Sequence, residues 1–248
     1  VRKIDVLGIP LEDFTIRESM KNIDGYFREG RLGTIGIITM KGLIRAQDDD
    51  AIKAWMSGLD MTIPADVEIL RAGGIEARNR ERDVANCAFL REFLKKLVRQ
   101  KRTIYLLGAD RDSVNRLEES LREMEPGIAV VAKAAISEIE QDHEFLVNDI
   151  NVKMPGALIS NLDSPVREQF SEENHMKLNA GVWLMLRPDW NVTLRDKGLF
   201  TRLNERFVKR WFHLRVNSYK NADDKPEELD GIREESYKEE LVNRNTSE

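Results

Sequence analysis

The stretch Thr103-Ile-Tyr-Leu-Leu-Gly-Ala-Asp110 has the residue order that sets an anion against a backbone. Three cations, Arg99, Lys101 and Arg102, lead into the apolar run Ile104 to Leu107. The run stops at Gly108, and a polar helical segment opens near Asp112 and Ser113. This reads as a buried strand, a tight turn and a helix N-terminus. In an open α/β sheet, ligands collect at the carboxyl ends of such strands. Free N–H groups at a helix start favour an anion such as a diphosphate, and Gly108 lets the backbone approach it. Asp110 could hold a ribose or sugar hydroxyl, or equally cap the following helix. An ordinary β-turn-α connection has the same signature.

Other chemistries are excluded more firmly. The lone Cys87 rules out an internal disulfide framework and a Cys-rich metal site. The three histidines, His143, His175 and His213, are dispersed, so no zinc site is expected. The net charge of −5 gives no case for nucleic-acid binding. No apolar run approaches the roughly 20 residues that span a bilayer, and the opening Val1-Arg-Lys-Ile-Asp-Val6 has no signal-peptide core. Cytoplasmic residence is the default expectation.

The elements that would position a site alternate along the chain. Apolar runs at 4–9, 34–39, 59–64, 104–107, 128–132, 157–161 and 180–186 read as strands. Helical spacing appears at 19–28, through Ile44, Ile52 and Trp55, at 84–98, over Val114, Leu117 and Leu121, at 139–152 and from Pro165. The alternation predicts an α/β, Rossmann-like, mainly parallel sheet flanked by helices. It occupies residues 1–194. A basic amphipathic C-terminal helix over 195–220 follows, with eight Arg or Lys against two acids and an apolar face of Phe200, Leu203, Phe207, Trp211 and Leu214. Such a helix packs on its own domain or lies on an anionic membrane. Residues 221–248 form an acidic, partly disordered tail, with a short helix expected from Arg233 to Val242.

Several segments, in order, resemble the WecG/TagA/CpsF family of glycosyltransferases (glycosyltransferase family 26). They are Ile4-Asp-Val-Leu-Gly-Ile-Pro10, Ile37-Ile-Thr39, Thr62-Ile-Pro64, Glu81-Arg82, Tyr105-Leu-Leu-Gly-Ala109, Pro126-Gly127-Ile128 and Asp163-Ser-Pro165 with Glu168. The aromatic helix around Trp211 also sits where the family has one. The resemblance covers roughly residues 1–215 and rests on order and spacing.

The resemblance implies an inverting transfer of an N-acetylmannosamine-type sugar from a UDP-sugar to a lipid-linked acceptor, without metal or other cofactor. The setting is cell-envelope polysaccharide or teichoic acid synthesis, at the inner face of the membrane. Homo-oligomers occur in such a family. Asp66 is then the catalytic base, Thr39 orients a hydroxyl, and Arg82 and Arg167 hold the diphosphate. Lys41, Gly108, Ala109, Asp110 and Glu168 complete the binding set. Glu168 would also suit a first helical turn, Asp66 a helix N-cap, and Arg82 a solvated charge run.

The departures fall at the site. The family's Pro-Asp-Gly reads Pro64-Ala65-Asp66, which moves the carboxylate by one residue. Its Thr-Pro-Asn reads Thr39-Met40-Lys41. Its Gly-x-Pro-x-Gln-Glu has Asp163 and Arg167 in place of Gly and Gln. Its late Gly-rich stretch carries Trp183, expected to fill ligand space. A catalytically inactive relative that binds a nucleotide-sugar or a protein is therefore the rival expectation. A membrane-surface adaptor using residues 207–212 is a third.

Overall fold

The computed structural model describes residues 2–139, 143–188, 190 and 199–223, with the side chains at 2, 199–205 and 222–223 excepted. Six strands form an all-parallel sheet in the order β4-β3-β8-β7-β5-β6. They are β3 (Gly33–Ile38), β4 (Met61–Pro64), β5 (Thr103–Gly108), β6 (Ala129–Ala135), β7 (Ala157–Ser160) and β8 (Val182–Met185). A separate antiparallel hairpin, β1 (Arg2–Val6) and β2 (Ile9–Asp13), precedes them.

The inner strands are apolar on both sides because helices cover both sides. Ile104 and Leu106 of β5 face a core with α1 (Ile16–Glu29), α6 (Ala88–Arg99) and α7 (Arg111–Met124). Their neighbours Tyr105 and Leu107 face the opposite core, with α8 (Glu144–Lys153) and α9 (Val166–Asn174). A third cluster lies under α2 (Met40–Arg45), α3 (Asp50–Gly58) and α4 (Val67–Ala72), and takes in the hairpin and the last helix, α10 (Leu199–Asp223). One further helix, α5 (Arg78–Ala85), lies between α4 and α6.

This topology creates a switch point. The β5 connection runs through α7 on one face, and the β7 connection runs through α9 on the other. β5 and β7 are hydrogen-bonded neighbours. The point between their carboxyl ends is the usual ligand position in this architecture.

Three local expectations are corrected. The run 4–9 is not one strand. Leu7 (φ 59°) and Gly8 (φ 70°) make a left-handed two-residue turn, and Pro10 tolerates pairing with Asp5 because the hairpin has a free edge. The 84–98 helix is two helices. Cys87, at φ 52°, breaks it, so α5 turns away from α6. The buried face of α10 is Phe212 and Val216, flanked by Val208, Trp211 and Tyr219, while Phe207 is 61% and Leu214 56% exposed. Phe200 and Leu203 lie outside the described side chains, and the tail from 224 lies outside the described residues.

Candidate functional site

The carboxyl edge of the sheet carries the charged groups that the core rejects. At its β4 end, Ala65 continues the ladder by donating its N–H to Ile38 O (2.7 Å). The chain then turns, and Asp66 starts α4. Its carboxylate does not cap α4. It reaches across to β3's end and accepts the Met40 N–H at 2.8 Å, the first amide of α2. Burial pushes the Asp66 carboxyl above the usual carboxylate range. The Met40 N–H, Arg187 and Lys209 oppose that push, and Glu68 adds to it. A half-buried carboxylate of raised basicity at a strand's carboxyl end can accept a proton from a hydroxyl.

Thr39 stands beside it as the N-cap of α2, its Oγ1 accepting the Gly42 N–H at 3.0 Å. Lys41 is exposed on the first turn of α2. Thr39, Lys41 and Asp66 are thus brought to one end of the edge.

Arg82 lies instead in a cleft of about 480 Å³ lined by α4, α5 and α10, which begins at Val67, the residue after Asp66, and includes neither Thr39 nor Lys41. Four cations, Arg71, Arg78, Arg82 and Lys209, line it against two carboxylates, Glu68 and Glu81. Arg71 is engaged by Glu81 in a fork (2.7 and 2.9 Å), and Lys209 by Glu68 (2.6 Å). The lining therefore carries two net positive charges, suited to an anion. Lys209 and Arg78 were not singled out from the sequence. The i, i+4 spacing of Arg78 and Arg82 was a usable signal, whereas the meeting of Lys209 with Glu68 was not.

Gly108, Ala109 and Asp110 lie four strands away, roughly 19 Å at the usual strand spacing of about 4.8 Å. A Cβ at Gly108 would sit 2.7 Å from Ser113 Oγ and 2.8 Å from Val114 N, so this glycine admits the first turn of α7 against β5. Asp110 caps that turn, accepting the Ser113 N–H at 2.6 Å. Ala109 O accepts the Ser137 N–H. The three residues lie at the carboxyl end of β5, beside the switch point.

Arg167 and Glu168 occupy the middle of the edge, at the start of α9. The Arg167 guanidinium stacks on Trp55 at 3.9 Å and pairs with Glu168. Asp163 is exposed, 3.7 Å from Arg45. Trp183 is fully buried in the core under α9. It stacks edge-on with Phe170 and donates from Nε1 to Ser160 Oγ at 2.9 Å. Among the described residues, no group of three His, Cys, Asp or Glu could hold a metal ion, and no helix is long and apolar enough to cross a membrane.

The family model for the glycosyl transferase WecG/TagA/CpsF family matches residues 4–187, from the hairpin to the end of β8. The chain belongs to the WecG/TagA/CpsF family. No individual curated protein matches it. The matched span holds every strand but the first two residues of β1, and it holds Thr39, Asp66, Arg82 and Glu168. Lys209, contributed by α10, lies beyond it. The basic cleft of this WecG/TagA/CpsF member is thus closed by a helix outside the family's matched region.

Proposed function

We propose that the protein is an inverting glycosyltransferase of cell-envelope polymer assembly, moving an N-acetylhexosamine from a UDP-sugar to a lipid-linked acceptor. The observation that carries this reading is Asp66. It is a carboxylate of raised basicity held by Met40 N at the carboxyl end of β4, beside a cationic cleft. In this reading Asp66 takes the proton from the acceptor hydroxyl as that oxygen attacks the anomeric carbon. The bond from that carbon to the donor diphosphate breaks with its electron pair, and UDP leaves.

Inversion fixes the layout. The nucleophile enters opposite the leaving group, so cations beside the base meet the acceptor, not the departing nucleotide. Arg78, Arg82 and Lys209 are therefore assigned to the acceptor's diphosphate. The donor nucleotide is assigned to the β5–β7 switch point, beside Gly108, Ala109 and Asp110, where this topology places ligands. Arg167, engaged by Glu168 and Trp55, is not assigned to a phosphate.

The test is a titration of the protein, without metal, against UDP, UDP-N-acetylglucosamine and UDP-N-acetylmannosamine, followed by transfer assays with Asp66→Asn. Binding by both proteins with transfer lost only in the variant supports the reading. Transfer unchanged in Asp66→Asn removes Asp66 as the base. A second reading, a nucleotide-sugar binder without catalysis, rests on Ala65 standing where the family's Pro-Asp-Gly has its aspartate; Trp183, expected to fill ligand space, does not support it, because the side chain lies in the core under α9. UDP-sugar binding with no transfer by the parent protein decides for the second reading.

A further inference from the structure

As UDP departs, the electron pair of the broken bond collects on its diphosphate, and a preorganised cation there lowers the barrier. The cleft cations Arg78, Arg82 and Lys209 stand on the acceptor's side of the reacting carbon, and Arg167 is engaged by Glu168 and Trp55. Neither set meets that charge. Sheet order supplies another cation. Arg187 is the second residue past β8, and β8 lies between β3 and β7. Leu186 continues the ladder by donating its N–H to Ser160 O at 2.7 Å, so Arg187 leaves the sheet at its carboxyl edge. Met185 pairs with Gly36, and Ile38 with Pro64, which brings Arg187 level with the ends of β3 and β4. Trp190 donates its N–H to Arg187 O at 3.1 Å and closes a turn, and its ring centre lies 5.6 Å from the Arg187 guanidinium. Trp190 is buried in the core shared with α1, α6 and α7, so the turn is anchored. Arg187 is half-buried. A guanidinium held in this way loses less freedom on binding a phosphate than one trailing in solvent.

The spacing suits the reaction. An in-line attack sets the base about 3 Å from the acceptor hydroxyl, and that oxygen about 3 Å from the anomeric carbon. The leaving oxygen lies beyond the carbon, on the side away from the base. From β4 to β8 is two strands, roughly 10 Å at about 4.8 Å per strand. Arg187 therefore falls on the departing side of the reacting carbon, and the switch point assigned to the nucleotide begins one strand further, at β7. Its charge still reaches the base. Arg187 lowers the Asp66 carboxyl's proton affinity, ahead of Lys209 in effect.

We propose that Arg187 is a catalytic residue that grips the donor's diphosphate from the end of β8 and stabilises the charge gathering on it as UDP leaves. The bond from the acceptor oxygen to the anomeric carbon forms, and the bond from that carbon to the diphosphate oxygen breaks with its electron pair. Asp66 takes the acceptor's proton, and Arg187 stays protonated throughout. The role rests on the glycosyltransferase reading and the donor assignment made above, and its failure reads differently from theirs.

The experiment compares the full chain with Arg187→Gln and Arg187→Lys, with thermal melting as the check on folding. Calorimetry measures UDP against UMP, which lacks the phosphate next to the breaking bond, and UDP release measures transfer to a lipid-diphosphate-linked sugar. Arg187→Gln should lose about tenfold in UDP affinity, the scale of one charged hydrogen bond, with UMP affinity within about twofold. Its kcat should fall about 10²–10³-fold. The rise of its rate with pH should move to higher pH, because Asp66 loses a charge that holds its proton affinity down. Arg187→Lys keeps the charge without the fork and should recover part of the rate. An unchanged kcat in Arg187→Gln overturns the role. So does an equal loss of UDP and UMP, which marks a structural part, and so does a moved pH profile with UDP affinity intact, which leaves Arg187 acting on Asp66 alone. A parent that binds neither UDP nor UMP ends the donor assignment, and one that binds UDP without transfer ends the catalytic reading. Either takes this role with it.

Discussion

A shift of one residue decides the chemistry at Asp66. On a continuing strand, the residue after Ala65 would point to the other face of the sheet. The chain instead leaves the strand at Pro64, and the turn into α4 swings the Asp66 carboxylate to the Met40 amide. Asp66→Asn keeps an oxygen for that amide and removes the proton acceptor, so transfer should fall by about 10²–10⁴-fold, measured as kcat with UDP-sugar binding retained. The pH dependence follows from the same burial. Because the folded-state pKa is raised, the folded chain holds this proton to higher pH than the unfolded chain does. The residue's contribution to stability is full below the unfolded value and is lost as pH rises through the raised one. Two results are expected. Transfer should rise with pH through that raised value. Asp66→Asn should melt at a higher temperature than the parent at neutral pH, with the gap closing as pH falls toward about 4. A variant that melts lower than the parent at neutral pH, with that deficit vanishing as pH falls toward about 4, would show that the charge stabilises the fold.

At the scale of elements, the β5–α7 and α10 contacts separate packing from ligand binding. Gly108→Ala puts a methyl against Val114 N and Ser113 Oγ at under 3 Å. Backbone cannot yield as a side-chain tip can, so a loss of about 1–3 kcal/mol in urea unfolding is expected. A neutral result would mean that α7 shifts freely. For α10, Phe212 is fully buried against the third cluster and Phe207 is mostly exposed. Phe212→Ala should cost about 3–5 kcal/mol or detach the helix, and Phe207→Ala should be near neutral in the same unfolding assay. Helical spacing in the sequence puts Phe207 on the apolar face and leaves Phe212 out of it. Both lie on a helix with aromatic residues at several angles, and periodicity alone cannot say which angle meets the domain.

The whole molecule joins regions distant in sequence into one cationic cleft. Arg78 and Arg82 come from α5, which Arg80 anchors to the hairpin by its 2.6 Å pair with Asp13. Lys209 comes from α10 and is held by Glu68 of α4. An anion bound there should feel the summed charge, so affinity for inorganic diphosphate should fall as salt rises. The Arg78→Ala/Arg82→Ala double variant should lose most of that affinity and most of its salt dependence. It should raise the KM for the lipid-linked acceptor and leave UDP binding in place. Loss of UDP binding instead would move the nucleotide to this cleft.

Most of the fold was legible in the residues themselves. A central parallel strand is buried on both faces and must be apolar throughout, so runs such as 104–107 and 157–159 declare themselves locally, and the helices between them show their own period. The order of motifs along the chain was enough to indicate the family. Strand order, the switch point and the partners of each charge were decided only in three dimensions. Glu68 and Lys209, Arg167 and Trp55, or Asp66 and Met40 meet because the sheet gathers the carboxyl ends of distant strands at one edge. Arg187 and Asp66 act on each other only because β8 and β4 flank β3, since the distance between two charges is a property of the strand order and no single stretch of sequence contains it.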